Sequence, residues 1–408
     1  MMKAYERLIR YAAVHTSSDE YAACTPSTEC QRDLSLLLKE EMTGLGFRDA
    51  EVDEHAYVYG FLPASAGREG DPCIALIAHL DTIPDSDFPG INVRPRIVPD
   101  YDGENLPLGT SGRVLSPNDF PELKKLKGHT LITTDGTTVL GADDKAGIAE
   151  ILTACEEILR EGLPHGRIAV CFTPDEEIGH GAALLSLEHL GADFAYTVDG
   201  GALDQVNTET FNAAEATVSF AGVNVHPGDA KGKMRNASLI AMEYAACLPA
   251  SERPETTENH EGFFHLTDMF GSVEKATLKY IVRDHDAAHF AARKAMMREA
   301  ADLLNEKYGE GTVTLSLRDQ YRNMAEVLQN CPQAVSRAED AIRRAGLMAR
   351  CVPVRGGTDG SQLSFRGLPC PNLGTGGACF HGPYEHISAE NMDLAVTILK
   401  NLLTAENG

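Results

Sequence analysis

The pattern of apolar and polar positions predicts buried strands that alternate with amphipathic helices in the first half of the chain. A continuous apolar run at residues 73–78 is typical of a central strand in a parallel sheet, because such strands are covered on both faces. Residues 167–172 and 193–198 are strand-like runs that are mostly apolar after one charged residue each. After residue 147 the apolar residues recur at helical spacing, and Gly162 stands just past the end of that helix. These elements predict an α/β sheet flanked by helices.

Shorter elements are predicted around this sheet. The stretch 84–121 holds seven prolines and little periodicity, which predicts a long irregular insertion on the surface. Residues 131–140 predict a hairpin with Asp135 and Gly136 at its turn. Helices are also predicted at residues 5–14, from residue 26 to Gly46 and at residues 182–190, and a strand, turn and strand at residues 51–62.

From about residue 213 the order of the predicted elements changes to β-α-β-β-α-β. That order suggests a compact domain of two layers, a sheet and its helices, inserted into the first domain. The earlier α/β pattern resumes with a helix at residues 332–345 and ends with a helix at 388–403. We therefore expect a main α/β domain formed by residues 1–212 and 325–408, and an inserted domain formed by residues 213–324.

The composition narrows the classes of partner. Lys and Arg number 36 against 60 Asp and Glu, which gives a net charge of −24. Such an acidic surface repels phosphate backbones and anionic lipids, so neither nucleic acid nor a membrane is expected as a partner. The apolar content of 43% is ample for a core, and no apolar run is long enough for a signal peptide or a spanning helix. We expect a cytoplasmic protein whose ten cysteines, none in a Cys-x-x-Cys pair, are reduced.

Residues of the kinds that bind metals follow the predicted strands. Because ligand sites in open α/β sheets lie beyond the carboxyl ends of the strands, these side chains can converge. They are His79 and Asp81 after the first apolar run, Glu176 and Glu177 after the second, Asp199 after the third, His381 after a strand at 371–373, and Asp143 at the start of a helix.

The chemistry of these side chains favours a pair of metal ions. The two imidazoles with three of these five carboxylates make a ligand set that suits zinc, and manganese or cobalt is compatible with the same donors. Five ligands are too many for one tetrahedral ion but fit two ions that share a bridging carboxylate. Ordinary alternatives exist for single residues, since Asp143 could cap its helix and Asp199 could be a turn residue. Of the adjacent pair Glu176 and Glu177, one carboxylate could bind metal while the other carries a proton.

Nine stretches in order along nearly the whole chain carry a family resemblance. They are Ala78-His-Leu-Asp-Thr82, Leu131-Ile-Thr-Thr-Asp-Gly136, Leu140-Gly-Ala-Asp-Asp-Lys-Ala-Gly-Ile-Ala-Glu150, Phe172-Thr-Pro-Asp-Glu-Glu-Ile-Gly179, Tyr196-Thr-Val-Asp-Gly200, Phe211-Asn-Ala-Ala214, Val225-His-Pro-Gly228, Arg355-Gly-Gly-Thr-Asp-Gly360 and Pro369-Cys-Pro-Asn-Leu373. Together they resemble the metallopeptidase family that includes carboxypeptidase G2, succinyl-diaminopimelate desuccinylase and aminoacylase.

The resemblance implies a zinc exopeptidase-like mixed sheet flanked by helices, in which residues 213–324 form a smaller α+β lid domain of two layers. It also implies two Zn²⁺ per subunit, with Mn²⁺ or Co²⁺ as possible replacements. Asp144 would not be a ligand. His79 and Asp199 would bind one ion, Glu177 and His381 would bind the other, and Asp143 would bridge them.

The same resemblance implies catalytic roles for two further carboxylates. Asp81 would hold the His79 imidazole and fix its tautomer, and Glu176 would be the general base. Within the family the chain most resembles a cytoplasmic aminopeptidase that removes the N-terminal residue from tripeptides, with a metal-activated water as nucleophile. Four side chains are then expected to bind the small peptide substrate: His226 at the oxyanion, Arg355 at a substrate carboxylate, and Arg283 and Asn236.

Other functions on the same scaffold stay open. A dipeptidase, a carboxypeptidase or an amidohydrolase would use the same ligands, and a non-catalytic protein could use the fold to capture peptide or metal. Residues 204–210 and His386 depart from the family pattern, which leaves the side-chain preference of the substrate open. The sequence also leaves open whether the chain is a monomer or a homodimer.

Overall fold

The computed structural model describes residues 2–404 and resolves them into ten helices and seventeen strands. The helices are α1 Ala4–Ala12, α2 Gln31–Leu45, α3 Ala142–Glu161, α4 Leu187–Leu190, α5 Ala237–Cys247, α6 Ala287–Tyr308, α7 Ala325–Leu328, α8 Pro332–Arg344, α9 Asp359–Phe365 and α10 Ala389–Thr404. The strands are β1 Arg48–Val52, β2 Val58–Leu62, β3 Ile74–His79, β4 Arg96–Val98, β5 Leu106–Pro107, β6 Val114–Leu115, β7 Leu131–Thr133, β8 Ile168–Thr173, β9 Phe194–Gly200, β10 Gln205–Glu209, β11 Asn212–Ala221, β12 Phe263–Gly271, β13 Lys275–Asp284, β14 Val313–Tyr321, β15 Arg350–Pro353, β16 Asn372–Gly374 and β17 His386–Ser388.

These elements form two compact units. The first comprises the described residues up to Thr208, Glu326–Val352 and the described residues from Thr358 onwards. The second comprises Glu209–Ala325 and Pro353–Gly357. None of the helices in the described part of the chain is both long and apolar enough to cross a membrane.

The first unit is built on an eight-stranded mixed sheet. Its strand order is β1-β2-β8-β3-β9-β16-β10-β15. Strand β3 runs parallel to both β8 and β9, and β9 runs parallel to β16, whereas β1, β2 and β10 make antiparallel pairs. The predicted mixed sheet flanked by helices is therefore confirmed.

Helices cover both faces of this sheet, which explains the continuous apolar runs. Every residue of β3 and β8 is buried. In β3, Leu76 packs into a core with α1, α2, α3, α8 and α10, whereas Ile77 packs on the opposite side with α4 and α9. Successive strand residues point to opposite faces, so a strand between two helical layers must be apolar at every position.

The second unit is a four-stranded antiparallel sheet with two helices. The strand order is β12-β13-β11-β14, and each neighbouring pair is antiparallel. Helices α5 and α6 share one apolar core with the sheet, in which Val218 and Leu278 are fully buried. The observed order of elements is β-α-β-β-α-β, as the sequence pattern indicates. The role of this unit as a lid, and the bounds 213–324, stay predictions.

Two local predictions are wrong, and the helix predicted at residues 182–190 forms only over Leu187–Leu190. Residues 131–140 do not form a hairpin: only β7 is a strand, and it pairs with β4 and β17. After β7 the backbone N–H groups of Gly136 and Thr137 donate to the side chains of Thr134 and Asp135, and that of Leu140 donates to the Glu385 carboxylate. These N–H groups are therefore not available to a returning strand. The stretch 84–121 is not wholly irregular either, because it contains β4, β5 and β6 and buries Leu108 and Leu115 in a small core of its own.

The close approach of α3 to β9 generates a prediction about glycine. A Cβ added at Gly147 would overlap the Val198 carbonyl oxygen of β9 and the Asp144 carboxylate, so α3 can approach the sheet only with glycine there. We expect Gly147→Ala to lower the free energy of unfolding of the metal-free chain by about 1–3 kcal/mol through overpacking. The measurement is urea unfolding followed by circular dichroism.

The matched control is Gly44→Ala in α2. A Cβ at Gly44 meets nothing within 4 Å. Alanine should stabilise the helix there, because it loses less conformational freedom on folding than glycine does. This substitution should raise the free energy of unfolding by about 0.5–1 kcal/mol. A Gly147→Ala chain as stable as the Gly44→Ala chain would contradict the close packing of α3 on β9.

Candidate active site

The carboxyl ends of three neighbouring strands bring the first group of predicted ligands together. His79 ends β3, Asp199 lies near the end of β9, and Glu176 and Glu177 follow β8. Because these strands are adjacent and parallel, their ends meet at the same edge of the sheet. His79 Nε2 lies 3.5 Å from Asp199 Oδ1.

Asp143 lies between the two predicted histidine ligands. Its Oδ1 is 2.9 Å from His79 Nε2, and its Oδ2 is 3.1 Å from His381 Nε2. His381 Nε2 is also 3.2 Å from Glu177 Oε2. Asp143 departs from helical geometry at the start of α3, with φ −85° and ψ 104°. Each oxygen of the Asp143 carboxylate thus faces a different imidazole, which is the arrangement expected of a bridging carboxylate.

The side chains form two overlapping groups that could each hold a metal ion. One is His79, Glu176 and Asp199, and the other is His79, Asp143 and Glu177. Within each group the ligand atoms lie within 4.8 Å of one another. The first group contains Glu176, the predicted general base, because its carboxylate faces the same space as its neighbours.

Asp81 holds the glutamate pair through the backbone. Its Oδ1 accepts the Glu176 N–H at 2.9 Å, and its Oδ2 accepts the Glu177 N–H at 3.2 Å. The nearest partner of His79 Nδ1 is the Asp81 carbonyl oxygen at 2.9 Å, whereas the Asp81 carboxylate is 3.5 Å away. The Asp81 carboxylate therefore orients the pair Glu176 and Glu177, whereas the His79 ring is hydrogen-bonded to the Asp81 carbonyl oxygen.

Asp144 holds backbone groups of the elements that carry the site. It is fully buried, and its Oδ2 accepts the His79 N–H at 3.1 Å while its Oδ1 accepts the Gly147 N–H at 3.2 Å. Both oxygens are thus engaged with the backbone of β3 and α3. This engagement agrees with the expectation that Asp143, and not Asp144, faces the metals.

Electrostatic repulsion is strong in this cluster. Burial and the nearby Asp199 and Asp359 carboxylates raise the pKa of Glu176 well above its usual range. Burial also raises the pKa of Glu177 and of Asp199 to about 7, against the opposing effect of nearby imidazoles. Carboxyl groups whose charged form is disfavoured in this way are groups that a bound cation would stabilise.

The neighbouring carboxylates raise the pKa values of the two imidazoles, because they stabilise the protonated form of each ring. Burial alone would lower the pKa of His79, but Asp199 and the hydrogen bond with Asp143 raise it well above its usual value. Hydrogen bonds to Asp143 and Glu177 raise the pKa of His381 to about 11. The nitrogen and oxygen donors of this cluster match those that bind zinc in proteins, so the residues fit a dinuclear metal centre.

The four predicted substrate-binding residues all belong to the second unit. His226 is exposed, and its Nδ1 accepts the Gly228 N–H at 3.2 Å. Asn236 caps α5, because its Oδ1 accepts the Ser238 N–H at 3.0 Å. Each of these two side chains therefore has a local role as well as its predicted one.

The two arginines are also engaged within the second unit. Arg283 Nη1 donates to the carbonyl oxygens of Ala214 and Val282, each at 3.1 Å. Arg355 holds the loop at residues 257–261: its Nη1 donates to the Asn259 and Glu261 carbonyl oxygens and its Nη2 to Thr257 Oγ1. The Arg355 guanidinium also stacks near the rings of Phe211 and Phe263.

Sequence reasoning missed two buried carboxylates beside the site. Glu385 is 1% exposed and accepts three backbone N–H groups at the start of α3. Asp359 is 2% exposed, its Oδ2 accepts the Thr173 hydroxyl at 3.0 Å, and burial raises its pKa to about 6. Asp359 belongs to the family stretch Arg355–Gly360, and Glu385 lies between His381 and His386, two residues that the sequence had already singled out. Acidic residues so close to these positions are the signal that could have found them.

Comparisons with known proteins identify the family of the chain. The model of peptidase family M20/M25/M40 matches residues 136–405. A protein named Peptidase T from Geobacillus kaustophilus is 50% identical over 400 residues, which cover 98% of this chain and 97% of the relative. A Peptidase T from Clostridium perfringens is 50% identical over 404 residues, or 99% of this chain and 98% of the relative.

Solved structures share the fold at lower identity. The crystal structure of an aminopeptidase, PepT, from Bacillus cereus aligns with a TM-score of 0.78 and 22% identity over 99% of both chains. A protein from Bacillus subtilis described as a dinuclear metal-binding peptidase of the M20 family aligns with a TM-score of 0.63 and 15% identity over 98% of both chains.

The mixed sheet flanked by helices matches the fold of these solved peptidase structures, and the chain belongs to peptidase family M20/M25/M40. Within that family it is similar over its whole length to the relatives named Peptidase T. These matches confirm the predicted family resemblance, the predicted α/β fold and the prediction that the chain is a hydrolytic enzyme.

The two hydrogen bonds of the Asp81 carboxylate generate a prediction. In Asp81→Asn, the amide NH₂ group would face one of the two N–H donors and leave it unsatisfied in a buried position. We expect the free energy of unfolding of the metal-free chain to fall by about 1–3 kcal/mol. Urea unfolding measures this change.

Asp87→Asn is the control, since Asp87 is an exposed residue of the following loop. Its effect should stay within about 0.5 kcal/mol of the unsubstituted chain. Indistinguishable unfolding curves for the two variants would show that the Asp81 carboxylate does not hold the glutamate pair.

Proposed function

We propose that the chain is a dinuclear zinc aminopeptidase that removes the N-terminal residue from tripeptides. The observation that carries the proposal is the Asp143 carboxylate, whose two oxygens lie 2.9 Å from His79 Nε2 and 3.1 Å from His381 Nε2. The full-length similarity to relatives named Peptidase T supports the same class of reaction.

The ligands divide between two ions in this proposal. His79 and Asp199 would hold one Zn²⁺, Glu177 and His381 would hold the other, and Asp143 would bind both. Mn²⁺ or Co²⁺ could use the same nitrogen and oxygen donors. When bound, the two cations would supply positive charge that lowers the pKa of a water molecule and polarises a peptide carbonyl.

Glu176 is the proposed general base. Its backbone N–H is held by Asp81, which limits where its side chain can reach. Glu176 accepts a proton from the water that attacks the first peptide carbonyl, and it then donates that proton to the leaving amine. By accepting both N–H groups, Asp81 fixes the backbone of Glu176 and Glu177, so that one carboxylate is free for proton transfer while the other is a ligand.

The substrate contacts stay proposals from the sequence. His226 would donate to the oxyanion, and Arg355 would bind a substrate carboxylate through guanidinium N–H groups that do not hold the loop at residues 257–261. Arg283 and Asn236 would add contacts to the peptide. A cytoplasmic location and the choice between monomer and homodimer also stay predictions.

Substitution of the base tests the mechanism. Glu176→Gln should lower kcat for an unblocked tripeptide by about 10²–10⁴-fold, because the amide cannot accept the proton. Bound zinc should stay near two ions per chain, since Glu176 is not a proposed ligand. The measurements are release of the N-terminal amino acid and metal content by atomic emission.

The control for Glu176→Gln is Glu188→Gln, an exposed glutamate on α4, which should match the unsubstituted chain in both measurements. Full activity in Glu176→Gln would exclude Glu176 as the base. An unsubstituted chain that binds no zinc would overturn the metal assignment itself.

Peptides with blocked ends test the substrate class. An aminopeptidase needs the free amine, so N-acetylation of the tripeptide should abolish turnover. The same free end distinguishes the alternatives: a carboxypeptidase would cleave the acetylated peptide, a dipeptidase would prefer dipeptides, and an amidohydrolase would release the acetyl group. The measurement is chromatography of products from four substrates: the free tripeptide, its acetylated form, its amidated form and the matching dipeptide.

A further inference from the structure

Glu385 accepts three backbone hydrogen bonds in the segment that carries Asp143. Its Oε2 accepts the Leu140 N–H at 2.6 Å and the Gly141 N–H at 2.9 Å, and its Oε1 accepts the Asp143 N–H at 3.0 Å. The side chain is almost fully buried. Hydrogen bonds from N–H groups to a carboxylate are about twice as strong as those between neutral groups, so this one side chain restrains residues 140–143.

Glu385 also belongs to the loop that carries His381. Its own N–H donates to the Gly382 carbonyl oxygen at 3.2 Å, which closes a turn directly after His381. At the base of the loop, Ala378 and His386 exchange two backbone hydrogen bonds, at 2.9 and 3.0 Å. A carboxylate in a loop closed in this way is a fixed point to which residues 140–143 are attached.

The two segments joined by Glu385 meet again at the site. Asp143 Oδ2 and His381 Nε2 are 3.1 Å apart, although 238 positions separate them in the chain. His381 has a φ of 62°, in the left-handed region that a non-glycine residue keeps only when its surroundings hold it there. The position of His381 relative to Asp143 therefore depends on what ties their loops together, and Glu385 is the side chain that does so.

We infer that Glu385 is a positioning residue for the metal centre, which sets the placement of the Asp143 carboxylate against the His381 imidazole. This inference rests on the proposed function, because it assigns Glu385 a part in holding the two proposed ligands. The Glu385 carboxylate bonds backbone N–H groups and not the side chains of the proposed ligands. It acts through the backbone N–H of Asp143 and through the turn that follows His381.

Glu385→Gln is the substitution that tests this role. Glutamine keeps the size of the side chain but replaces one acceptor oxygen by an NH₂ group, which cannot accept a backbone N–H. At least one of the three backbone hydrogen bonds is therefore lost while the packing of the side chain is kept. Loss of such supporting contacts typically weakens metal binding 10–100-fold.

The matched control is Glu150→Gln. Glu150 is a fully buried glutamate on α3, the helix that Asp143 opens, and neither of its carboxylate oxygens has a hydrogen-bond partner among the described residues. Both variants exchange a buried carboxyl for an amide of the same shape. Only Glu385→Gln removes a hydrogen bond from the segment that carries a proposed ligand.

The experiment measures cobalt binding to the full-length chain after removal of metals. Competition with a chromophoric chelator gives the two Co²⁺ dissociation constants, and the visible absorption of bound Co²⁺ reports ligand geometry without any substrate. For Glu385→Gln we expect one dissociation constant to rise about 10–100-fold and the Co²⁺ bands to shift. In the zinc-loaded enzyme kcat should fall while KM changes little. Glu150→Gln should match the unsubstituted chain throughout.

The outcomes separate the inference from the proposed function. If the unsubstituted chain binds no Co²⁺, the proposed function fails and the inference with it. If that chain binds two ions and Glu385→Gln binds both with the same affinities and spectrum, the inference alone is overturned. A change in urea stability without any change in affinity or spectrum would equally overturn it, because a carboxylate that only supports the fold would behave so.

A second variant covers a folding defect. Should circular dichroism show that Glu385→Gln is unfolded, Glu385→Asp takes its place, since it keeps the charge and withdraws the carboxylate by one methylene. The Co²⁺ dissociation constants and the Co²⁺ absorption bands of this variant are then measured in the same way. An Asp variant with unchanged Co²⁺ affinities and bands would count against the positioning role, and weakened binding with shifted bands would support it.

Discussion

Repulsion between carboxylates at the end of the central sheet is the constraint on which the rest of the site depends. Asp143, Glu176, Glu177 and Asp199 converge there, with the imidazoles of His79 and His381 among them. Such a cluster would spread apart if its side chains were free, because desolvated like charges destabilise one another. The backbone beneath each of these groups is therefore held firmly, so that the folded chain presents them together before any cation arrives.

Three buried carboxylates provide that support, and each does so by accepting backbone N–H groups. Asp81 holds Glu176 and Glu177, Asp144 holds His79 and Gly147, and Glu385 holds the segment at residues 140–143. Acidic residues thus serve two purposes at this edge of the sheet. Some face the proposed metals, and others hold the backbone from which the first group projects, which is why so acidic a cluster can be packed in one place.

The convergence of the first group of acidic residues could be predicted from the sequence, whereas the support given by the second group largely could not. Ligand-type residues at strand ends could be recognised because continuous apolar runs mark central strands, and the ends of adjacent parallel strands must meet. The supporting role of Glu385 left no such signal, since nothing in the local pattern indicates which N–H groups a distant carboxylate will accept. The hairpin predicted at residues 131–140 illustrates the same limit: local turn chemistry favoured a second strand, but the Leu140 N–H donates to the distant Glu385 carboxylate.

By itself the sequence determined the order of strands and helices, the mixed α/β class and the kinds of side chain at the end of each strand, because hydrophobic periodicity and side-chain chemistry are local properties. Only the tertiary structure decided which carboxylates face the site and which hold its backbone. The bonds that make this difference join residues far apart in the chain, 242 positions in the case of Asp143 and Glu385. These bonds form only when the whole first unit is packed, and the local sequence pattern contains no information about such distant partners.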